Sequence, residues 1–360
     1  MQLKDKNILI ISPESWTKVF VSKHHYAVKL AERGNRVFFL NPPSDSEQLK
    51  NTRVENVFSV DYKGFPPKFR RYPAPLRKYF LRKIFRKIEK ICQSTIDIVW
   101  SFDNSVFFDL NFLPEQVVKI SHIVDLNQDF EFAKAATSAD ICLGCTSVIC
   151  EKQKQYNKHT FFVNHGFNNY EALPDSEEPV VTANENGRSV GYAGNLDIRY
   201  LDWHLIKEAV DKFTDVMFYF AGPTESAELK HWMEDKPNVR YIGVLDPSLL
   251  GAFYKQMDLL MISYKADEYR DQLGNPHKLM GYLGSGTAVV STYTHEYRNH
   301  TQLISMSESN SEWISVLSRT LQDFAFWNSP ESTQKRINFA MDNTYDKQVD
   351  RIEKYIAQCR

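Results

Sequence analysis

Cysteine is scarce: 360 residues hold only five, Cys92, Cys142, Cys145, Cys150 and Cys359. An odd, scattered set argues against a disulfide framework and fits reduced thiols in a cytoplasmic protein. Cys142 and Cys145 have C-x-x-C spacing, but they close an apolar run and lack a second ligand pair. A buried strand is expected there, not a metal or redox site. No apolar stretch approaches the length of a membrane span. The opening "MQLKDKNILIISPESW" breaks its apolar run too soon for a secretory signal. Low-complexity runs are absent, and no aromatic-rich RNA motif accompanies the basic residues, which argues against nucleic acid as a partner.

Negative charge is scarce in one region only. The whole chain carries a formal charge of −1, yet residues 1–95 hold 20 Lys/Arg against 8 Asp/Glu, a net of +12. Residues 186–332 hold 13 against 19, a net of −6. Surfaces this different predict two domains with different partners, and the length agrees with two.

What is present is an alternation of short apolar runs and helical patterns, twice over. "KNILIIS", "RVFFLNPP", "IDIVWSF", "VVKISHIVDL" and "ADICLGCTS" read as strands buried on both faces. "HHYAVKLAERGN" is a helix stopped by Gly34. "RSVGYAGN", "VMFYFAGP", "VRYIGVLD", "DLLMISY" and "TAVVST" repeat the pattern after a polar, turn-rich linker at 171–188. Such alternation implies parallel sheets with right-handed crossovers. The expected organisation is α/β: a Rossmann-like domain over 1–170, a second over 189–328, and C-terminal helices over 329–360 packed across both. Ligands would sit at the carboxyl ends of the strands.

Between "VENVFSVDY" and "IDIVWSF" lies "PLRKYFLRKIFRKIEKICQS", in which seven of the fourteen residues from Arg77 to Lys90 are basic. On a helical wheel Phe80, Leu81, Ile84, Phe85, Ile88, Ile91 and Cys92 share one face, while Lys78, Arg82, Lys83, Arg86, Lys87 and Lys90 take the other. The apolar stripe suits a crossover helix packed on the sheet, or an interfacial helix dipping into lipid. Either leaves a cationic face, extended by Lys68, Arg70 and Arg71, that suits anionic headgroups or an acceptor.

The segment "DQLGNPHKLMGYLGSGTAVVST" (271–292) carries the chemistry. Asn275 suits a helix N-cap and Pro276 the first helical position. Lys278 then falls in the first turn, where a cation opposes the helix dipole unless an anion binds there. Asp125 and Asp103 close apolar strands, where carboxylates face a ligand; His122, mid-strand, reads as a core histidine.

"NPHKLMGYLGSGTAVVST" resembles the donor-site segment of retaining, family-4-like GT-B glycosyltransferases. "GYAGNLDIRYLDWHLI", "NVRYIGVLDPSLLGAFYKQMDLLMISY" and "ADICLGCTSVICEKQKQYNKHTFFVNHGFN" are similar to further segments of that group, in the same order. The resemblance covers most of residues 120–300. It implies two Rossmann-like domains facing each other across a cleft, with a C-terminal helix crossing back. It further implies a nucleotide-diphosphate sugar donor, most commonly a UDP-sugar, a saccharide or lipid-linked acceptor, retention, and no metal or other cofactor. Lys278 and Arg199 would hold the diphosphate, aided by Gly191, Gly194, Asn195, Asn275, Pro276 and His277. Gly243 and Val244 would meet the nucleobase, and Asp125 the donor sugar. The chain departs from the pattern at Gly281 and Leu273, where the group has two glutamates eight residues apart; Asp271, Glu268 or Glu296 could replace them. A sugar-nucleotide epimerase and a non-catalytic nucleotide-sugar-binding partner are the rival readings. The anionic inner face of the cell membrane is the expected location.

Overall fold

The computed structural model describes residues 2–17, 20–103, 105–126, 131–168, 180–181 and 187–359. It divides into two compact units, Met1–His165 with Tyr345–Arg360, and Gly166–Thr344. Most of the expected linker lies outside the described residues.

The first unit is built on strands β1 (Asn7–Ile11), β2 (Arg36–Leu40), β3 (Gln48–Asn51), β4 (Val57–Asp61), β5 (Ile98–Ser101), β6 (Val118–Ile123), β7 (Ile141–Gly144) and β8 (Thr160–Phe162). Their order is β3-β4-β2-β1-β5-β6-β7-β8. Every pairing is parallel except β3 with β4. β1 is central because its alternate residues feed two cores. Ile8 and Ile10 join one cluster, Leu9 and Ile11 the other. β3, with the sequence QLKN, is a polar edge strand; it has no apolar run to announce it.

Helix α1 (Ser22–Glu32) returns the chain from β1 to β2. Helix α2 (Ala74–Cys92) is the basic segment and carries the chain from β4 to β5. Leu81, Phe85, Ile88 and Cys92 are buried against Leu9, Ile11, Phe38 and Val99, with Phe80, Ile84 and Ile91 partly buried beside them. The apolar stripe is therefore a crossover face occupied by the sheet. Helices α3 (Phe132–Ser138) and α4 (Ser147–Lys154) flank β7.

The second unit has strands β9 (Arg188–Ala193), β10 (Val216–Ala221), β11 (Val239–Gly243), β12 (Leu259–Ile262), β13 (Ala288–Ser291) and β14 (Ser305–Met306), all parallel, in the order β11-β10-β9-β12-β13-β14. Its helices include α5 (Trp203–Lys212), α6 (Ala227–Asp235), α7 (Leu250–Gln256), α8 (Lys278–Ser285), α9 (Trp313–Gln322), α10 (Phe324–Trp327) and α11 (Pro330–Met341). The fully buried Arg336 of α11 donates twice to Gly286 O, at 3.0 and 2.9 Å, and so caps the carbonyl end of α8.

The C-terminal helices belong to different units. α11 stays with the second. Helix α12 (Tyr345–Cys359) completes the first, burying Tyr345, Val349, Ile352 and Ile356 in the cluster that holds Ile8, Ile10 and Trp100.

Candidate functional site

The loops that follow β9 and β12 converge at the carboxyl end of the second sheet. β9 ends at Ala193, and Gly194 follows with φ +154°. Gly222, after β10, has φ +138°, and a Cβ there would stand 1.9 Å from Gly194 O. Only glycine allows these two loop tips to approach so closely. A Cβ on Gly194 would in turn meet Lys278 Nζ at 2.6 Å. Lys278 is thus laid directly over the end of β9.

The surroundings of that ammonium are aromatic. Lys278 Nζ donates to Tyr264 Oη at 3.1 Å and lies 5.1 Å from the Tyr192 ring centroid and 5.8 Å from that of Tyr264. Tyr282 Oη accepts from Ala193 N at 3.1 Å, which ties α8 to the strand end. Burial raises the phenols of Tyr192 and Tyr282 well above their ordinary range, so the wall is neutral. Among the described residues no carboxylate lies within ion-pair distance of Lys278. A half-buried cation with tyrosine faces and no counter-charge is prepared for an anion that arrives from outside.

Asn275 does not cap the helix. α8 starts at Lys278, with His277 ahead of it already in helical dihedrals. Leu279 N bonds to Pro276 O at 3.1 Å, a tight first turn that delays the regular ladder. Asn275 is instead buried before that turn. His277 is exposed at the surface of this turn, and partial desolvation of its ring, followed by the neighbouring Lys278 ammonium, lowers its pKa.

Arg199 lies in the loop after β9. Its guanidinium lies 4.6 Å from the Tyr200 ring centroid and 5.6 Å from that of Tyr269, and it donates to Tyr200 Oη. The loop is pinned to the end of β12 by Asp202 N to Ser263 O and Lys265 N to Tyr200 O, both 2.8 Å. Lys278 and Arg199 therefore share one end of the sheet, but each rests on its own pair of tyrosines.

The other expected donor residues divide. Gly191 sits inside β9, not in the turn: a Cβ there would strike Met257 Cγ at 2.5 Å, so its glycine serves the core. Asn195 is exposed, and its Oδ1 accepts from Asp197 N at 2.9 Å, a local turn. Gly243 ends β11 with φ +78°, open space where a Cβ would be, and a carbonyl that accepts from Gly222 N at 2.7 Å. Val244 beside it is 72% exposed. Gly281 and Leu273 are both buried. Of the three acids considered in their place, Asp271 belongs to this segment and Glu296 is tied to it through its backbone N to Gly274 O at 2.9 Å.

In the first unit Asp125 follows β6 and is partly buried. Asp103 accepts from Ser105 N at 2.7 Å and from Ser105 Oγ, both on Oδ1, a local turn. His122 is 2% exposed, accepts from Trp100 Nε1 at 3.3 Å, and is pushed down to about 3 by burial and then by Lys23. It is a core histidine, as expected. Lys23 itself went unremarked in the sequence: its side chain is 3% exposed, in the first turn of α1, paired with Glu14. The signal was a lysine at the start of the helix that follows a central strand.

On α2, Lys78 is partly buried, whereas Arg82, Lys83, Arg86, Lys87 and Lys90 are exposed. Arg82 Nε also donates to Phe112 O at 3.3 Å, and Lys87 pairs with Glu47. No disulfide joins any of the five cysteines. Cys142 is buried in β7, and burial raises its thiol to about 12. Among the described residues no group of three or more His, Cys, Asp or Glu is placed to hold a metal ion. No described helix is long and apolar enough to cross a membrane.

No protein-family model matches the chain, and no curated protein sequence matches it. Solved structures match over nearly its full length. Anabaena HepE in complex with UDP-glucose is 11% identical, with 98% of this chain and 100% of that chain covered, at a TM-score of 0.69. OtsA is 10% identical over 99% of each chain, at a TM-score of 0.70. WaaG, a glycosyltransferase involved in lipopolysaccharide biosynthesis, is 12% identical over 97% and 99%, at 0.63. At such identities the similarity establishes architecture: the chain has the GT-B fold of these glycosyltransferases, α/β with two parallel-sheet units.

Proposed function

We propose that this chain transfers a sugar from a nucleotide-diphosphate donor, a UDP-sugar, to a saccharide or lipid-linked acceptor with retention. The observation that carries this reading is Lys278, a cation held over Gly194 by tyrosines at the start of α8 with no carboxylate partner among the described residues. A diphosphate placed there gains the ammonium and the free N–H groups of the helix start. Negative charge builds on the leaving nucleotide as the glycosyl bond breaks, so a fixed cation lowers the barrier more than it tightens the ground state. Arg199 supplies a second positive charge from the β9 loop. Gly243 and Val244 offer backbone and an apolar face to the base. Asp125, at a strand end of the first unit, is assigned to the donor sugar.

Titration of UDP and UDP-sugars into the protein, followed by donor turnover with and without acceptor, tests the reading. Binding that Lys278→Ala abolishes, with turnover that needs acceptor, is expected. Donor isomerisation without acceptor would mean an epimerase; binding without any turnover would mean a non-catalytic partner.

The basic face of α2 is assigned to an anionic membrane surface at the inner face of the cell membrane. Leu76, Tyr79, Lys83, Arg86 and Lys90 recur at intervals of three and four, so they share one outward stripe. Leu76 is 42% and Tyr79 60% exposed, an apolar tip on a cationic stripe. Such cations contribute roughly 1 kcal/mol each near anionic lipid.

A further inference from the structure

A groove of about 440 Å³ opens in the second unit beside the start of α5, and Lys278 is not part of its wall. Arg199, His204, Lys207 and Lys265 line it, with the Trp203 indole as its apolar face. Three acids, Asp197, Asp202 and Glu228, also line it and balance the charge of Arg199, Lys207 and Lys265, but two of them are held in internal hydrogen bonds. Asp197 accepts from Thr224 Oγ1 at 2.7 Å and Glu225 N at 2.6 Å. Asp202 accepts from Leu205 N at 3.3 Å and Asn310 Nδ2 at 2.9 Å. Glu228 is left as the carboxylate with no internal bond among the described residues. Against it stand two lysines that no carboxylate approaches within ion-pair distance among the described residues: Lys207, 5.3 Å from the Trp232 ring centroid, and Lys265. The N-termini of α5 and α6 both open here, through Asp202 and Ser226, and add their positive dipole ends.

The volume lies within the roughly 300–1,000 Å³ of small-molecule sites, far more than a bare anion needs. Trp203 Nε1 already donates to Leu196 O at 3.0 Å, so the ring meets a ligand only by its apolar surface. We infer that this groove binds the anionic group of a charged saccharide, a sugar phosphate or a uronate, with Lys207 and Lys265 on the anion and Trp203 against the sugar ring. That the ligand is a sugar rests on the glycosyl-transfer reading; that it is anionic rests on the groove alone.

Calorimetric titration of the full chain with glucose 6-phosphate, glucuronate, glucose and inorganic phosphate tests this. Glucose 6-phosphate or glucuronate is expected to bind at least tenfold more tightly than glucose and than inorganic phosphate. The tighter of the two identifies the anion. Lys207→Ala/Lys265→Ala should weaken that binding at least tenfold while leaving UDP affinity within twofold. Equal binding of glucose, equal binding of inorganic phosphate, or an unchanged double variant overturns the inference. So does loss of the sugar anion in Lys278→Ala, which would place it in the tyrosine-walled site. Failure of the nucleotide reading appears separately, as UDP binding that is absent or indifferent to Lys278.

Discussion

Lys83, Arg86 and Lys90 in the first unit and Lys278 in the second are all cations beside apolar surface, yet they are held differently. The three on α2 stand outward on a helix whose other face is buried in a sheet. Lys278 is half-buried between tyrosine rings and fixed by one hydrogen bond. Exposed charges on flexible stems act together, at range, and are screened by salt within a Debye length of about 10 Å at 0.1 M. A recessed, pre-oriented charge acts on one atom group and is screened far less. The first arrangement suits a surface with many charges; the second suits one diphosphate.

Breaking the recessed site should have the largest effect. Lys278→Ala is expected to raise the barrier to transfer by roughly 2–4 kcal/mol with the fold intact, read as the loss of kcat/KM at constant melting temperature. Near-wild-type transfer would remove the donor-site assignment. Breaking the distributed site is the next test. Lys83→Glu/Arg86→Glu/Lys90→Glu should cost at least about 3 kcal/mol of binding to phosphatidylserine vesicles, at roughly 1 kcal/mol per cation. Transfer to a soluble acceptor should be unaffected by the triple change. Wild-type vesicle binding that ignores salt would defeat the membrane assignment.

A smaller effect comes from the core histidine of the first unit. Unfolded His122 takes a proton near pH 6.5, whereas burial holds it neutral in the folded unit until about 3. Below 6.5 the unfolded state binds more protons, so stability falls as pH drops through that window. At pH 5 the loss is about 2 kcal/mol. His122→Phe should flatten that part of the pH–stability curve, whatever its stability at pH 7; an unchanged slope would show that other groups carry it. The smallest effect expected is at Glu296. If this acid takes over the ribose contact of the missing glutamates, Glu296→Gln weakens UDP and UMP alike, by about 1 kcal/mol, because both carry the ribose. Unchanged UDP affinity would reassign the ribose.

Much of this architecture was legible because parallel strands buried on both faces are continuous apolar runs, as in "NILII" and "LLMI". β3 was not, since a polar edge strand is recognisable only by its neighbour. Lys278 stood out by its place after Asn275 and Pro276, but its tyrosine wall did not. Tyr192, Tyr264 and Tyr282 come from β9, the end of β12 and α8, and only the fold brings them together. Gly191 was misplaced for a related reason: a glycine near a strand end suits a phosphate turn as well as it suits close packing, and Met257 decides between them. The C-terminal helices were legible as helices, but nothing in the pattern of α12 names the core that it covers.

That last helix bears on how the chain is made. Tyr345, Val349, Ile352 and Ile356 close the same cluster as Tyr26 and Trp100, yet they are synthesised after the whole of the second unit. The second unit is one continuous stretch and can fold as soon as it is complete. The first must wait with an apolar sheet face uncovered, although its strands emerge first. Synthesis order and completion order are therefore reversed, and during translation the first unit presents the surface that a chaperone would bind.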